Sequence, residues 1–366
     1  MDSIYEALRQ SIEIRQQHGA NSPTPLEWWY LTGHLWKADS NTSCNTLKDV
    51  LKLRGQPNYA VQSTFFLSDA MQPRGLLSHA SESRLDENTH HSSERVAVFT
   101  DNSKRHPLAF VSQGLLNIAL GNWNFLHLGH SPQKVDWGLN FDVRESTYQL
   151  QLTFDKSSLW FHGNNGILKK TDTSENFYYT IPFVVASGQR IYRSPDNRTE
   201  FQTVCGRLWF DHEIHVKNVN NVGWRWFGLT FNNARALMIY QIFENGKFRP
   251  AGGEMWQEES KKSTLLENVS IDPQESKCLD SGRCYPQKFN IEFTLPGSKD
   301  RQSVRTESWF PEQEVSGGTG GLGRPYWEGG VKALWSSSGQ KESFRQPVEG
   351  LGYTELVLKD FMEKRR

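Results

Sequence analysis

The 366-residue sequence predicts an all-β protein made of two β-barrel or sandwich units behind a short N-terminal helix. Three observations predict it. Aromatic residues are 12% of the chain against 36% for all hydrophobic residues, so a third of the apolar complement carries rings, which are enriched in strands. Short runs of strand formers recur at intervals of about 8–12 residues, divided by Gly, Asn, Asp and Ser, the pattern of sandwiches and barrels. A single segment carries a helical period.

That segment is the first element, expected over 3–18. Ser3 and Glu6 have the spacing of a capping box, Tyr5, Leu8 and Ile12 recur on one face, and Gly19 suits the residue after the helix. Pro23 and Pro25 then impose an extended path. Strands are expected at 27–36, 59–67, 97–99, 123–128, 138–144, 148–154, 159–163, 177–185 and 203–216. A second set follows at 224–231, 236–243, 288–295, 303–310, 326–334 and 352–358. The polar stretches 37–55, 84–104 and 258–287 read as long surface loops. A weak repeat, Trp28-Trp29-Tyr30-Leu31-Thr32-Gly33 against Trp224-Arg225-Trp226-Phe227-Gly228-Leu229, suggests units 1–216 and 217–366.

Several functions fall away. Lysine and arginine balance aspartate and glutamate at 41 each, with no basic stripe for nucleic acid. No run approaches the ~18 apolar residues of a transmembrane helix, and the N-terminus lacks the pattern of a signal peptide. Four cysteines are too few for a disulfide scaffold, so reduced thiols in a cytoplasmic protein are the default expectation, with Cys278 and Cys284 able to pair or stay free. The stretch 318–323 matches GxGxxG, but Pro325 and a strand-like run follow where a nucleotide site needs a helix. His212 with His215, and His127 with His130, lie three apart and so on opposite strand faces, a poor spacing for one metal.

The informative segments place Trp beside acids or His inside strands: 27–35, 206–213 and 326–329. A carboxylate there is costly unless it is paired or protonated. Alternation puts Glu27, Trp29 and Leu31 on one face and Trp28, Tyr30 and Thr32 on the other. It likewise separates Trp209, Asp211, Glu213 and His215 from Phe210, His212 and Ile214. Two readings stand together: a buried polar network, with Arg207 or Arg225 as partners, and an aromatic pocket whose burial tunes an acid toward neutrality.

The ordered set EWWYLTGHL, LWFHGNNGILKKTDTSENFYYTIPFV, CGRLWFDHEIH, GWRWFGLTFNNARALMIYQIFENG, YWEGGV and GYTEL resembles the CrtC/AttH-like lipocalin family over about residues 25–358. That family includes carotenoid 1,2-hydratases, kievitone-hydratase-like proteins and Diels–Alderase-type cyclases. The resemblance implies two lipocalin-like units with a hydrophobic pocket, and no metal or organic cofactor. It carries a hydratase His onto His212 and a Tyr onto Tyr240. The motif's Trp position holds Ile214, and Gln241 and Ile242 follow Tyr240 where an Asp would be expected. This favours cyclisation or isomerisation of a long polyene, polyketide or terpenoid over hydration, with a non-catalytic carrier of a hydrophobic ligand as a further alternative.

The candidate proton-transfer or hydrogen-bonding residues are Glu27, Asp211, His212, Glu213 and Tyr240. The candidate pocket residues are Trp28, Trp29, Tyr30, Gln62, Tyr178, Tyr179, Trp209, Trp226, Trp327 and Glu328. The expected partner is a hydrophobic small molecule, and a peripheral membrane contact is one way to reach it.

Overall fold

The computed structural model describes residues 2–21, 24–39, 41–69, 74–99, 105–106, 109–171, 175–215, 222–315, 325–337 and 346–357. The Gly-rich run 318–323 and the expected boundary at 216–217 lie outside them.

The first helix, α1 (Asp2–Arg15), buries Tyr5 and Ile12, and Tyr5 stacks on Phe177 with ring centroids 6.0 Å apart. It ends earlier than expected. Gln16 adopts the left-handed conformation and its N–H reaches Ile12 O at 3.0 Å, an αL cap. Gly19 has a different task. Its N–H meets Gly114 O at 2.7 Å, and a Cβ there would lie 2.7–2.9 Å from three carbonyl oxygens.

The first sheet holds β1 (Leu26–Lys37), β2 (Tyr59–Ser68), β3 (Gly75–Arg84), β4 (Thr89–Val98), β5 (Arg105–His106), β6 (Ala109–Val111) and β7 (Asn117–Leu120). It continues with β8 (Trp123–His130), β9 (Lys134–Val143), β10 (Ser146–Asp155), β11 (Trp160–Phe161), β12 (Ile167–Lys169), β13 (Glu175–Arg193) and β14 (Thr199–His215). Its order is β4-β3-β2-β1-β14-β13-β10-β9-β8-β7-β6-β5, with β11 and β12 added along β13. The long strands β13 and β14 are therefore central. Pro182 is tolerated inside β13 because it sits at a register shift between Ile181 and Val184.

The second sheet holds β15 (Gly223–Phe231), β16 (Arg235–Glu244), β17 (Lys247–Phe248), β18 (Gly252–Gln257), β19 (Lys262–Leu265) and β20 (Glu267–Cys278). It continues with β21 (Cys284–Thr294), β22 (Arg301–Ser308), β23 (Glu314–Val315), β24 (Tyr326–Ser337) and β25 (Val348–Val357). Its order is β19-β18-β16-β15-β25-β24-β22-β21-β20, with β17 on β16 and β23 on β24. Each sheet curls around its own apolar core. Contacts divide the described chain into two units that change over after 215, with the hairpin tip Ser83–His90 grouped with the second.

The three expected loops need correction. Residues 37–55 include α2 (Leu47–Val50), started by a Thr46–Asp49 capping box. Residues 84–104 include β4, and 258–287 include β19 and β20. All three strands are sheet edges, and their polar side chains suit an edge that must resist pairing with another chain. The expectation of reduced thiols is also corrected. Cys44 pairs with Cys205, Cys278 pairs with Cys284 across the β20–β21 hairpin, and no cysteine is free. Among the described residues no helix is long and apolar enough to cross a membrane.

Candidate active site

Three neighbouring strands build the site. β14 lies between β1 and β13, and the register sets Trp29, His212 and Tyr179 in one row. The adjacent rows are Trp28–Glu213–Tyr178 and Tyr30–Asp211–Thr180. Because successive side chains alternate, these rows point to opposite faces of one sheet. The predicted residues are brought together as two back-to-back sets.

The core-facing set is a chain of buried hydrogen bonds. Glu27 accepts from the backbone N–H of Asn21 at 2.9 Å, and His212 Nε2 lies 2.8 Å from Glu27 Oε1. With Nε2–H donating to the carboxylate, His212 Nδ1 accepts from the Tyr179 hydroxyl at 2.8 Å. Tyr179 in turn accepts from His18 Nδ1 at 2.7 Å. The Trp29 ring stacks on His212 at 4.9 Å and its N–H donates to His18 O at 2.8 Å. Glu27, Trp29, Tyr179, His212 and His18 are all fully buried. Burial keeps His18 neutral by driving its pKa well below the usual value. Burial, reinforced by Glu27, holds the Tyr179 hydroxyl protonated.

The opposite face carries the aromatic set. Asp211 accepts from the Tyr178 hydroxyl at 2.8 Å and from Thr180 Oγ1. His162 Nε2 stands 2.7 Å from that Thr180 oxygen, so His162, Thr180 and Asp211 form a second relay. Burial pushes the Asp211 carboxyl up to about 6, against the pull of the Thr180 and Tyr178 hydroxyls and His162. The surrounding rings pack against one another. Trp160 lies 6.1 Å from Trp209, and His162 lies 4.3 Å from Tyr178.

One row away, Glu213 takes the opposite charge state. Burial alone would raise its pKa, but the Lys170 ammonium at 2.7 Å and His215 bring it down to about 2. Asn176 Nδ2 donates to the same carboxylate. Lys170 lies 5.5 Å from the Trp28 ring centre and 5.3 Å from that of Tyr178, and the half-buried Trp28 leads this face toward solvent. Gln62 lies opposite Thr32 on the same face, bonded to Thr64 and Ser81.

The remaining predicted residues belong to the second unit. Tyr240, Trp226, Glu355 and Glu328 occupy one rung across β16, β15, β25 and β24. Trp327 points the other way, into the second core, with its N–H on Pro311 O at 2.7 Å. Sequence reasoning missed His18, His162, Lys170, Asn176 and Thr180. Each enters through the path of a turn or through pairing with β14, neither of which local alternation reveals. It also missed the fully satisfied interior group of Glu82, Arg190, Tyr148 and Ser146. Among the described residues no group of three or more His, Cys, Asp or Glu is placed to hold a metal ion.

The fold has known counterparts. An AttH-type protein of Nitrosomonas europaea superposes with a TM-score of 0.71 at 21% identity, over 93% of this chain and 94% of that one. Kievitone hydratase from Nectria haematococca superposes with a TM-score of 0.67 at 15% identity, over 94% of this chain and 91% of that one. At such identities the likeness is one of fold. No curated protein matches the sequence significantly. The family model described as AttH-like matches residues 6–357, nearly the whole chain, and on that match the protein belongs to the AttH-like family.

Proposed function

We propose that the protein is a cofactor-independent enzyme that protonates a carbon–carbon double bond of a long apolar substrate, leading to hydration or isomerisation. The observation that carries this reading is Asp211, a buried carboxyl with a pKa of about 6, set among Tyr178, Trp209 and Trp160. A carboxylic acid poised near neutrality is the group a general acid requires. Ring faces stabilise the cation that protonation creates by about 0.5–2 kcal/mol each.

In this mechanism the Asp211 proton moves to the alkene carbon and leaves an Asp211 carboxylate. Water adds to the cation and returns its proton to Asp211, which completes hydration. Loss of a neighbouring C–H proton to Asp211 completes isomerisation instead. Capture of the cation by a second double bond in the same molecule would give cyclisation by the same acid. The His162–Thr180 relay offers Asp211 a route for proton exchange. The His212 relay on the other face fixes the three strands and holds β14 in register.

Turnover in D2O tests the reading, with kievitone heading a panel of prenylated phenols, isoprenoids and conjugated polyenes because a structural neighbour is named for its hydration. Hydration is expected to place one solvent deuterium on carbon per turnover. Asp211→Asn is expected to lose at least about 100-fold in kcat, the usual scale of general-acid catalysis. Wild-type kcat is expected to fall as pH rises through about 6, where Asp211 loses its proton. Undeuterated product with full Asp211→Asn activity would instead mean a pericyclic reaction, and binding without turnover would mean a carrier.

A further inference from the structure

Among the described residues, the second unit holds a buried positive charge with no counter-charge. On β15, Phe227, Leu229 and Phe231 point into the second core, and Arg225 shares their parity. The register sets Gln241, Arg225, Leu356 and Trp327 in one rung across β16, β15, β25 and β24. Arg225 is 6% exposed, and its guanidinium lies over the Phe248 ring at 3.9 Å. Phe243 packs edge-on against Phe248 at 5.1 Å.

The Arg225 side chain has no hydrogen bond or ion pair among the described residues, and its Nε is buried without a partner. Its cross-strand neighbour Gln241 also has an unpartnered buried atom, Oε1, although its amide N–H donates to Arg249 O at 3.0 Å. Glu244, three residues along β16 from Gln241, is committed to Arg249 at 2.7 Å. The contrast with Arg190 is direct, since that buried arginine meets Glu82, Ser146 and two tyrosine rings. Burial lowers the Arg225 pKa only to about 10, so the group stays charged at neutral pH.

A charge largely removed from solvent and left without a partner is costly, and an incoming anion would relieve that cost. We propose that Arg225 binds the carboxylate of an otherwise apolar ligand, whose chain lies against Phe248, Phe243, Leu356 and Trp327. The guanidinium fork matches a carboxylate in two parallel hydrogen bonds. The apolar wall favours a carboxylate attached to hydrocarbon over a small hydrated anion. This site lies in the second unit and is independent of the Asp211 chemistry, so it is read by binding rather than turnover.

The test is fluorescence titration with cis-parinaric acid and with its methyl ester, which share one hydrocarbon chain while only the acid carries the charge. Wild type is expected to bind the acid at least tenfold more tightly than the ester. Arg225→Met should bind both with the affinity of the ester, and should melt higher than wild type without ligand because the uncompensated charge is gone. Should Arg225→Met fail to fold, Arg225→Gln carries the same prediction for binding. Asp211→Asn is expected to keep the acid preference, which separates this outcome from any failure of the proposed reaction. Acid bound no better than ester by wild type, absence of binding of both, or an acid preference that survives loss of the arginine would each overturn the proposal.

Discussion

Asp211 and Glu213 stand two residues apart on one face of β14, and their surroundings push them in opposite directions. Asp211, with neutral donors and no cation in contact, rises from 3.8 to about 6. Glu213, held by Lys170, falls from 4.5 to about 2. Each displacement corresponds to about 3 kcal/mol. The signs follow from which state binds the proton more tightly. Between about pH 4 and 6 the folded chain keeps the Asp211 proton that the unfolded chain has lost, so stability falls as pH rises through that window. Between about pH 2 and 4.5 the unfolded chain holds the Glu213 proton more tightly, so stability rises with pH. Together they place a local maximum near pH 4–5. Urea midpoints from pH 2.5 to 8 should show it. Asp211→Asn should abolish the decline on the alkaline side and gain up to about 3 kcal/mol at pH 7. A midpoint for that variant below wild type at pH 7 would show that the carboxylate is stabilised by its donors after all.

At the scale of elements, much of the site was legible because a strand's alternation is written in its own residues. Glu27 and Trp29 do share one face with His212, and Trp28 and Tyr30 do share the other with Asp211. What alternation cannot show is which strand lies beside which, so β13 as the partner of β14 had to come from the fold. The polar edge strands were read as loops for the same reason, since nothing buries either of their faces fully. Close strand packing was equally invisible. A Cβ on Gly206 would lie 2.0 Å from His34 O, and one on Gly33 would lie 2.3 Å from Arg207 O, so β1 and β14 approach with no room for a methyl group. Gly206→Ala is therefore expected to cost about 3 kcal/mol, since backbone rather than a flexible side chain must move. Chemical denaturation measures the cost. A loss below about 0.5 kcal/mol, the range of a neutral surface change, would show that the strands can separate without penalty.

At the scale of the whole molecule, the two disulfides differ in how much chain they enclose. Cys44 and Cys205 are 161 residues apart and join the segment before α2 to β14, where they pack with Val50 and Val185. Their loop contains β2 through β13, most of the first unit. Cys278 and Cys284 are six apart and close one hairpin. Composition could not reveal this, because four cysteines carry no pairing information and the long pair meets only when β14 returns beside β1. If disulfides act mainly by removing unfolded-state entropy, the long loop contributes about 5 kcal/mol and the short one about 2 kcal/mol. The double variant Cys44→Ser with Cys205→Ser should then unfold at a clearly lower denaturant concentration than Cys278→Ser with Cys284→Ser. The pairing itself is checked first, by thiol titration of the unfolded chain without reductant, which should find no free thiol. Four free thiols would remove both bonds from the molecule, and equal losses in the two double variants would mean that the long bridge acts through native packing beneath α2 rather than through the unfolded chain.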